Sequence, residues 1–118
     1  MYQTNLSTTI RRPSAETSIV DIQGEIAGSA EKALMDAFTQ ASSGDTHTIM
    51  LNFSGVDSVD SSGIILFVPL LVRARRQKQR LLAYGLAGPT RQAFELTRLN
   101  QAIGLYAAEA EAFAAASA

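Results

Sequence analysis

Phe53-Ser54-Gly55-Val56-Asp57-Ser58-Val59-Asp60-Ser61-Ser62-Gly63-Ile64 is the stretch that decides the fold. To its left, His47 to Phe53 (HTIMLNF) reads as a strand whose Ile49-Met50-Leu51 centre is buried on both faces. To its right, Ile64 opens nine residues, ending at Val72, that contain no polar side chain. That run begins a helix expected to reach about Gln79, apolar at its start and basic at its end. Between the two lies a polar segment, Ser54 to Ser62, rich in Ser, Asp and Gly and expected to be a loop. A hydrophobic strand joined to a hydrophobic helix through such a loop is the unit of a parallel sheet with crossover helices.

Working outward, the same alternation recurs. Thr8 to Arg12 reads as a short edge strand closed by Pro13, and Thr17 to Ile26 as a strand interrupted at Gly24. Ala27-Gly28-Ser29 is a turn with Ser29 as the expected N-cap. Ala30, Ala33, Leu34, Ala37, Phe38 and Ala41 then follow helical spacing. After the central unit, Arg80 to Leu86 is a third buried strand. Thr90 is the expected cap of a helix that turns Ala93, Phe94, Leu96 and Leu99 inward. Ala102 to Tyr106 is a short last strand, and Ala107 to Ala116 an alanine-rich terminal helix. The fold class is therefore α/β, with a mainly parallel or mixed sheet of about four to five strands and about four helices. The loops Ala27–Ser29, Ser54–Ser62 and Ala87–Thr90 are expected at one edge of that sheet, where open α/β proteins meet their ligands.

Composition bounds the rest. A chain of 118 residues suits one domain, spanning 1–118, and 47% hydrophobic residues suffice to bury a core. The net charge of −1 gives no overall attraction to nucleic acid or anionic membrane. Cysteine is absent, which removes disulfides, thiolate metal sites and cysteine nucleophiles together. The start, Met1 to Leu6, shows no leader pattern. The longest apolar run is far below the roughly 20 residues of a membrane span. These features point to a cytoplasmic protein without direct membrane insertion.

Catalytic patterns are missing as well. His47 is the only histidine and has no evident companions, so it reads as structural and a zinc site is not expected. Ser61 lies in no G-x-S-x-G elbow, and the glycines form neither G-x-G-x-x-G nor a P-loop. Arg73, Arg75, Arg76, Lys78 and Arg80 gather at the end of the central helix, where cations complement the helix terminus. Pro69, inside the expected helix, predicts a kink.

Asp60-Ser61-Ser62-Gly63 carries the chemistry. A helix start presents unpartnered N–H groups, which a serine there can cap and which would also hold a phosphate attached to it. From these four residues alone, capping and a phosphorylation switch both stand.

In the order and spacing of its motifs the chain resembles the STAS family, specifically the anti-sigma factor antagonists. The likeness runs from Thr17 to Phe113. It rests on Gly24-Glu25-Ile26, on a strand ending in Asn52-Phe53-Ser54-Gly55-Val56, on Asp60-Ser61-Ser62-Gly63 and on Phe94-Glu95-Leu96-Thr97-Arg98-Leu99. The resemblance implies a partner-switching module without enzymatic activity or cofactor. Its unphosphorylated form binds an anti-sigma factor that is also a serine kinase, freeing the sigma factor. Phosphorylation dissociates the pair, and a serine phosphatase resets it; ATP and magnesium belong to the kinase. Carried over, the phosphoacceptor is Ser61, with Ser62 as the alternate and the more natural cap. The partner-binding set is Asp57, Asp60, Ser61, Ser62, Gly63, Gly28 and Ser29. A homodimer is left open, and so is a non-switching role as scaffold or accessory subunit of a signalling assembly or lipid transporter. Two positions depart from the family pattern. Ala27 stands where many members have Asp, leaving Asp57 as the nearest substitute, and Ile65 stands where many have Gly or Ala.

Overall fold

Five strands form one mixed sheet in the order β1-β2-β3-β4-β5 in the computed structural model, which describes residues 6–116. The leader reading rests largely on residues 1–5 and lies outside the described residues. β1 (Leu6–Arg11) pairs antiparallel with β2 (Thr17–Ile26). β3 (Thr48–Val59), β4 (Arg80–Tyr84) and β5 (Gly104–Tyr106) follow in parallel. Between them run α1 (Glu31–Ala41), α2 (Ser61–Ile64), α3 (Phe67–Arg76) and α4 (Gly88–Leu96), and α5 (Glu109–Ala116) ends the described chain. The α/β class and the mixed sheet are as the sequence predicts.

The period-2 alternation of the strands sorts the core into two layers. Val20, Ile22, Ile49, Leu51, Phe53, Leu81 and Ala83 face α1, α3 and α4, meeting Leu34, Phe38, Phe67, Leu70 and Phe94. Ile19, Met50, Leu82 and Tyr84 point the other way and are covered by α5 through Ala112 and Phe113. This explains why the centre of β3 is apolar on both faces: each face has its own cover.

Several local expectations are corrected. Ser29 does not cap a helix: Ala27 is extended, residues 28–30 make a 3-10 turn, and no side chain caps α1. Thr90 lies inside α4 and is buried, because Gly88 and Pro89 already form its first turn after an extended Ala87. Leu96, expected inward, is 78% exposed, since α4 ends there and Leu99 takes the inward place from the following 3-10 turn.

The expected long helix is two helices. It breaks at Ile65-Leu66, which puts Pro69 in the first turn of α3, where its missing N–H costs no helical hydrogen bond. The anticipated interior kink is thus replaced by a clean restart. α3 closes at Arg76, with Lys78 left-handed at φ 57°. There the Gln79 amide donates to the Ala74 carbonyl (2.8 Å) and the Lys78 amide to that of Arg75 (3.1 Å), a Schellman closure.

Candidate functional site

The segment expected to be a loop is mostly strand. β3 continues to Val59, and its pairing with β2 runs on through Gln23 and Gly55, Gly24 and Val56, Glu25 and Ser58, and Ile26 and Val59. Two register irregularities accompany Gly24, whose φ is 105°. Pairing of β3 with β4 stops at Asn52 and Tyr84. Residues 53–59 therefore extend β3 past β4, by about 20 Å at the rise of a strand. Only Asp60 remains as loop. The tip that carries Ser61 stands on a two-stranded extension.

Three phenylalanines fix the base of this extension. The rings of Phe53, Phe67 and Phe94 lie 5.5 to 5.6 Å apart, with Phe53 and Phe94 edge to face. Such pairs add about 0.5–1.5 kcal/mol each beyond their buried area. They tie β3 to α3 and α4 where the strand leaves the sheet.

At the tip, Asp60 is the N-cap of α2, its carboxylate accepting the Gly63 amide at 2.8 Å. The Asp60 amide in turn donates to the Ile26 carbonyl at 3.1 Å, tying the tip to the end of β2. Gly63 is buried against that strand end: a Cβ there would stand 2.1 Å from the Ile26 carbonyl oxygen. Gly63 thus belongs to the interior. Its expected place in a partner contact is corrected to a steric one, since nothing larger fits.

Neither serine caps α2, because Asp60 already does so. Ser61 and Ser62 are both exposed, and among the described residues neither hydroxyl has a hydrogen-bond partner. The expectation that helix amides would receive a phosphate is also revised. α2 is one turn long, and the amide of Gly63 is taken by Asp60. Gly28 adjoins the tip, where a Cβ on it would meet Ser62 Cβ at 3.3 Å. Ser29 and Asp57 are exposed nearby in sequence. Of the three expected loops, Ala27–Ser29 and the end of Ser54–Ser62 therefore come together, through Gly28 and Ser62. The third strand end lies lower: Gly85, with φ 76°, approaches the Ser54 backbone nitrogen, a Cβ there standing 3.0 Å away.

The basic cluster divides. The guanidinium of Arg73 lies 5.2 Å over the Phe38 ring and donates to Thr39 Oγ1, so it packs back onto α1. Arg80 donates to the carbonyls of Ala115 and Ala116 at the end of α5. Arg75, Arg76 and Lys78 stay exposed, and among the described residues none of them forms an ion pair. Ile65, Val68 and Val72 are exposed as well, at 63%, 46% and 43%. Their spacing at positions i, i+3 and i+7 was the signal for this stripe, masked in the sequence by the unbroken apolar run around it.

One polar cluster had no local sequence signal. Arg11 pairs with Asp21 and Glu109 and donates to the Tyr84 hydroxyl, which donates to Glu109 at 2.7 Å. Asn52 donates to Asp21 at 2.7 Å. The Arg11 hydrogen bond holds the Asp21 carboxyl below its usual range, and the Tyr84 and Arg11 hydrogen bonds do the same for Glu109. Burial raises the Tyr84 phenol. This cluster secures α5 to the sheet on the face opposite α1, α3 and α4. His47 lies at the far end of the strands, lining an open cavity of about 580 Å³ with Glu16, Arg80 and Phe113. Among the described residues no cluster of His, Cys, Asp or Glu could hold a metal, and no helix is long and apolar enough to cross a membrane.

The family model described as "Mlab, STAS domain" matches residues 10–106. The chain is a STAS domain. No curated protein matches its sequence. Among solved structures, an anti-sigma factor antagonist from Mycobacterium paratuberculosis superposes with a TM-score of 0.81 at 20% identity, covering 93% of this chain and 92% of that one. The Bacillus cell fate determinant SpoIIAA in its phosphorylated form gives 0.71 at 22% identity, covering 93% and 99%. A sulfate transporter family protein from Wolinella succinogenes gives 0.74 at 16% identity, covering 86% and 84%. At these identities the likeness is one of fold. In this STAS domain β3 carries the serine tip almost to its end.

Proposed function

We propose that this STAS domain is an anti-sigma factor antagonist switched by phosphorylation of Ser61. In this reading the chain is not an enzyme and holds no cofactor. It works in the cytoplasm, and its unphosphorylated form binds an anti-sigma factor serine kinase, thereby releasing a sigma factor. Phosphorylation by that kinase ends the complex, and a serine phosphatase restores it. Nucleic acid and membrane take no direct part.

The observation that carries the reading is the Ser61 hydroxyl, exposed and, among the described residues, without a hydrogen-bond partner on a tip held by Asp60 and Gly63. A kinase can reach it without unfolding the domain, and no native hydrogen bond has to break. The added group brings about −1.5 to −2 charge at neutral pH. It would stand in sequence beside the Asp60 and Asp57 carboxylates, which among the described residues form no ion pair. A partner that covers the tip would bury this charge uncompensated, which costs several kcal/mol, and about 1.4 kcal/mol is tenfold in affinity. Asp57, Ser62, Gly28 and Ser29 form the rim of the contact, and Ala27 removes one acidic group that many members offer. Structural likeness to anti-sigma factor antagonists supports the reading.

Intact-mass analysis after incubation with the anti-sigma kinase encoded nearest this gene, ATP and magnesium tests it. One phosphate is expected on the wild type and on Ser62→Ala, none on Ser61→Ala, and Ser61→Asp should lose kinase binding at unchanged thermal stability. Equal phosphorylation of Ser61→Ala would sink the assignment.

A second reading, a non-switching accessory subunit of a transporter or signalling assembly, is favoured by the Mlab description of the family model and by the sulfate transporter family neighbour. Co-purification with a transporter ATPase, with no phosphate acquired, would select it.

A further inference from the structure

The α2–α3 ridge is complementary to itself. Its middle is the exposed apolar stripe Ile65, Val68 and Val72. At one end stands the exposed carboxylate of Asp60, which caps α2, and at the other the exposed cations Arg75, Arg76 and Lys78. Among the described residues, none of these charged groups is in an ion pair within its own chain. Val68 and Val72, four apart in α3, share the face a helix turns to a second helix, and Ile65 continues it from the turn before.

We propose that this ridge pairs with the same ridge of a second copy of the chain, antiparallel, about a two-fold axis near Val68. Setting Ile65 opposite Val72 of the second copy leaves Val68 close to the axis, so apolar meets apolar along the whole stripe. The same register lays the Asp60 end of each ridge over the Arg75–Arg76 end of the other, twice by symmetry. A parallel pair would instead bring like charges together at both ends. Antiparallel helices also oppose their dipoles favourably. The net charge of −1 adds little repulsion between copies.

The size of the ridge sets the strength. Roughly 20 Å long and about 10 Å wide, it offers less than the roughly 800 Å² per partner of a standard interface. The pair is therefore weak and concentration-dependent, forming in the upper micromolar range. The pairing needs no phosphate on Ser61; one added there would fall at the end of the ridge that faces Arg75 and Arg76 of the second copy.

Sedimentation equilibrium of the full chain from about 10 µM to about 1 mM tests the pairing. A monomer–dimer equilibrium is expected, weakened at least tenfold by Val72→Asp, whose side chain is exposed enough to leave the fold intact by circular dichroism. The chain has no cysteine, which makes disulfide trapping a clean test of register. Bridging needs Cα atoms within about 7 Å. An equimolar mixture of Ile65→Cys and Val72→Cys should cross-link, and Ile65→Cys alone should not. A monomer at every concentration overturns the proposal and leaves the ridge to a different protein. Self-pairing unchanged by Val72→Asp, or Ile65→Cys cross-linking alone as fast as the mixture, overturns it too.

Discussion

Gly63 and Ile26 touch through backbone: where a Cβ on Gly63 would sit, the Ile26 carbonyl oxygen is 2.1 Å away, and that same oxygen accepts the Asp60 amide. Helix α2 is thereby pressed onto the end of β2. Gly63→Ala should force the two apart, costing about 2–4 kcal/mol in urea denaturation. Gly28→Ala, facing only the Ser62 side chain at 3.3 Å, serves as the comparison and should cost well under about 1 kcal/mol. Equal costs would show that the tip does not depend on this contact.

The cap belongs to Asp60, and the serines are bystanders to stability. Asp60→Ala should lose about 1 kcal/mol and Asp60→Asn much less. Ser61→Ala and Ser62→Ala should each stay within about 0.5 kcal/mol of wild type. A larger loss for either serine in the same denaturation series would reveal a hydrogen bond that the tip geometry does not contain.

Acid should loosen α5 first. Asp21 and Glu109 have folded pKa values below their ordinary 3.8 and 4.5. Groups depressed in this way contribute stability that is fully present above the ordinary value and is lost as pH falls through the folded one. Stability should therefore decline below about pH 4.5, and Glu109→Gln should flatten that limb. Because Arg11 and Glu109 are each nearly half exposed, the effect is at most about 1 kcal/mol. Hydrogen exchange of α5 amides against pH reads it directly; an acid limb identical in Glu109→Gln would refute the assignment.

Lys78 closes α3 in a left-handed conformation, φ 57°, where a side chain is strained. Lys78→Gly should relieve this and raise stability by about 0.5–1 kcal/mol, a rise of a few degrees in the thermal midpoint. A lower midpoint would mean that the lysine stem packs usefully in place.

Element order was legible in the sequence because long apolar periodicities mark α1, the centre of β3 and β4 without ambiguity. The continuation of β3 was not legible. Ser54, Gly55, Asp57 and Ser58 are turn-forming residues, and what keeps them extended is backbone pairing to β2, made possible by irregular register at Gly24. With β4 ended, these positions have neighbours on one side only, so no alternation of polar and apolar side chains is imposed. The break before α3 was hidden for the opposite reason: Ile64 to Val72 is apolar throughout, and Pro69 reads as a kink inside one helix where it lies in the first turn of a second. Ser61 and Ser62 could be placed at a helix start from sequence, but the cap expected at Ser62 belongs to Asp60. That choice depends on Asp60 being extended, at ψ 178°, with its carboxylate turned over the first turn. Arg11 and Glu109 are 98 residues apart, beyond any local pattern.

The Asp60 carboxylate already satisfies the Gly63 amide that a phosphate on the neighbouring serine would otherwise seek. A charge arriving on that serine would therefore gain no partner at Gly63, and whatever rests against the outside of the tip would meet it.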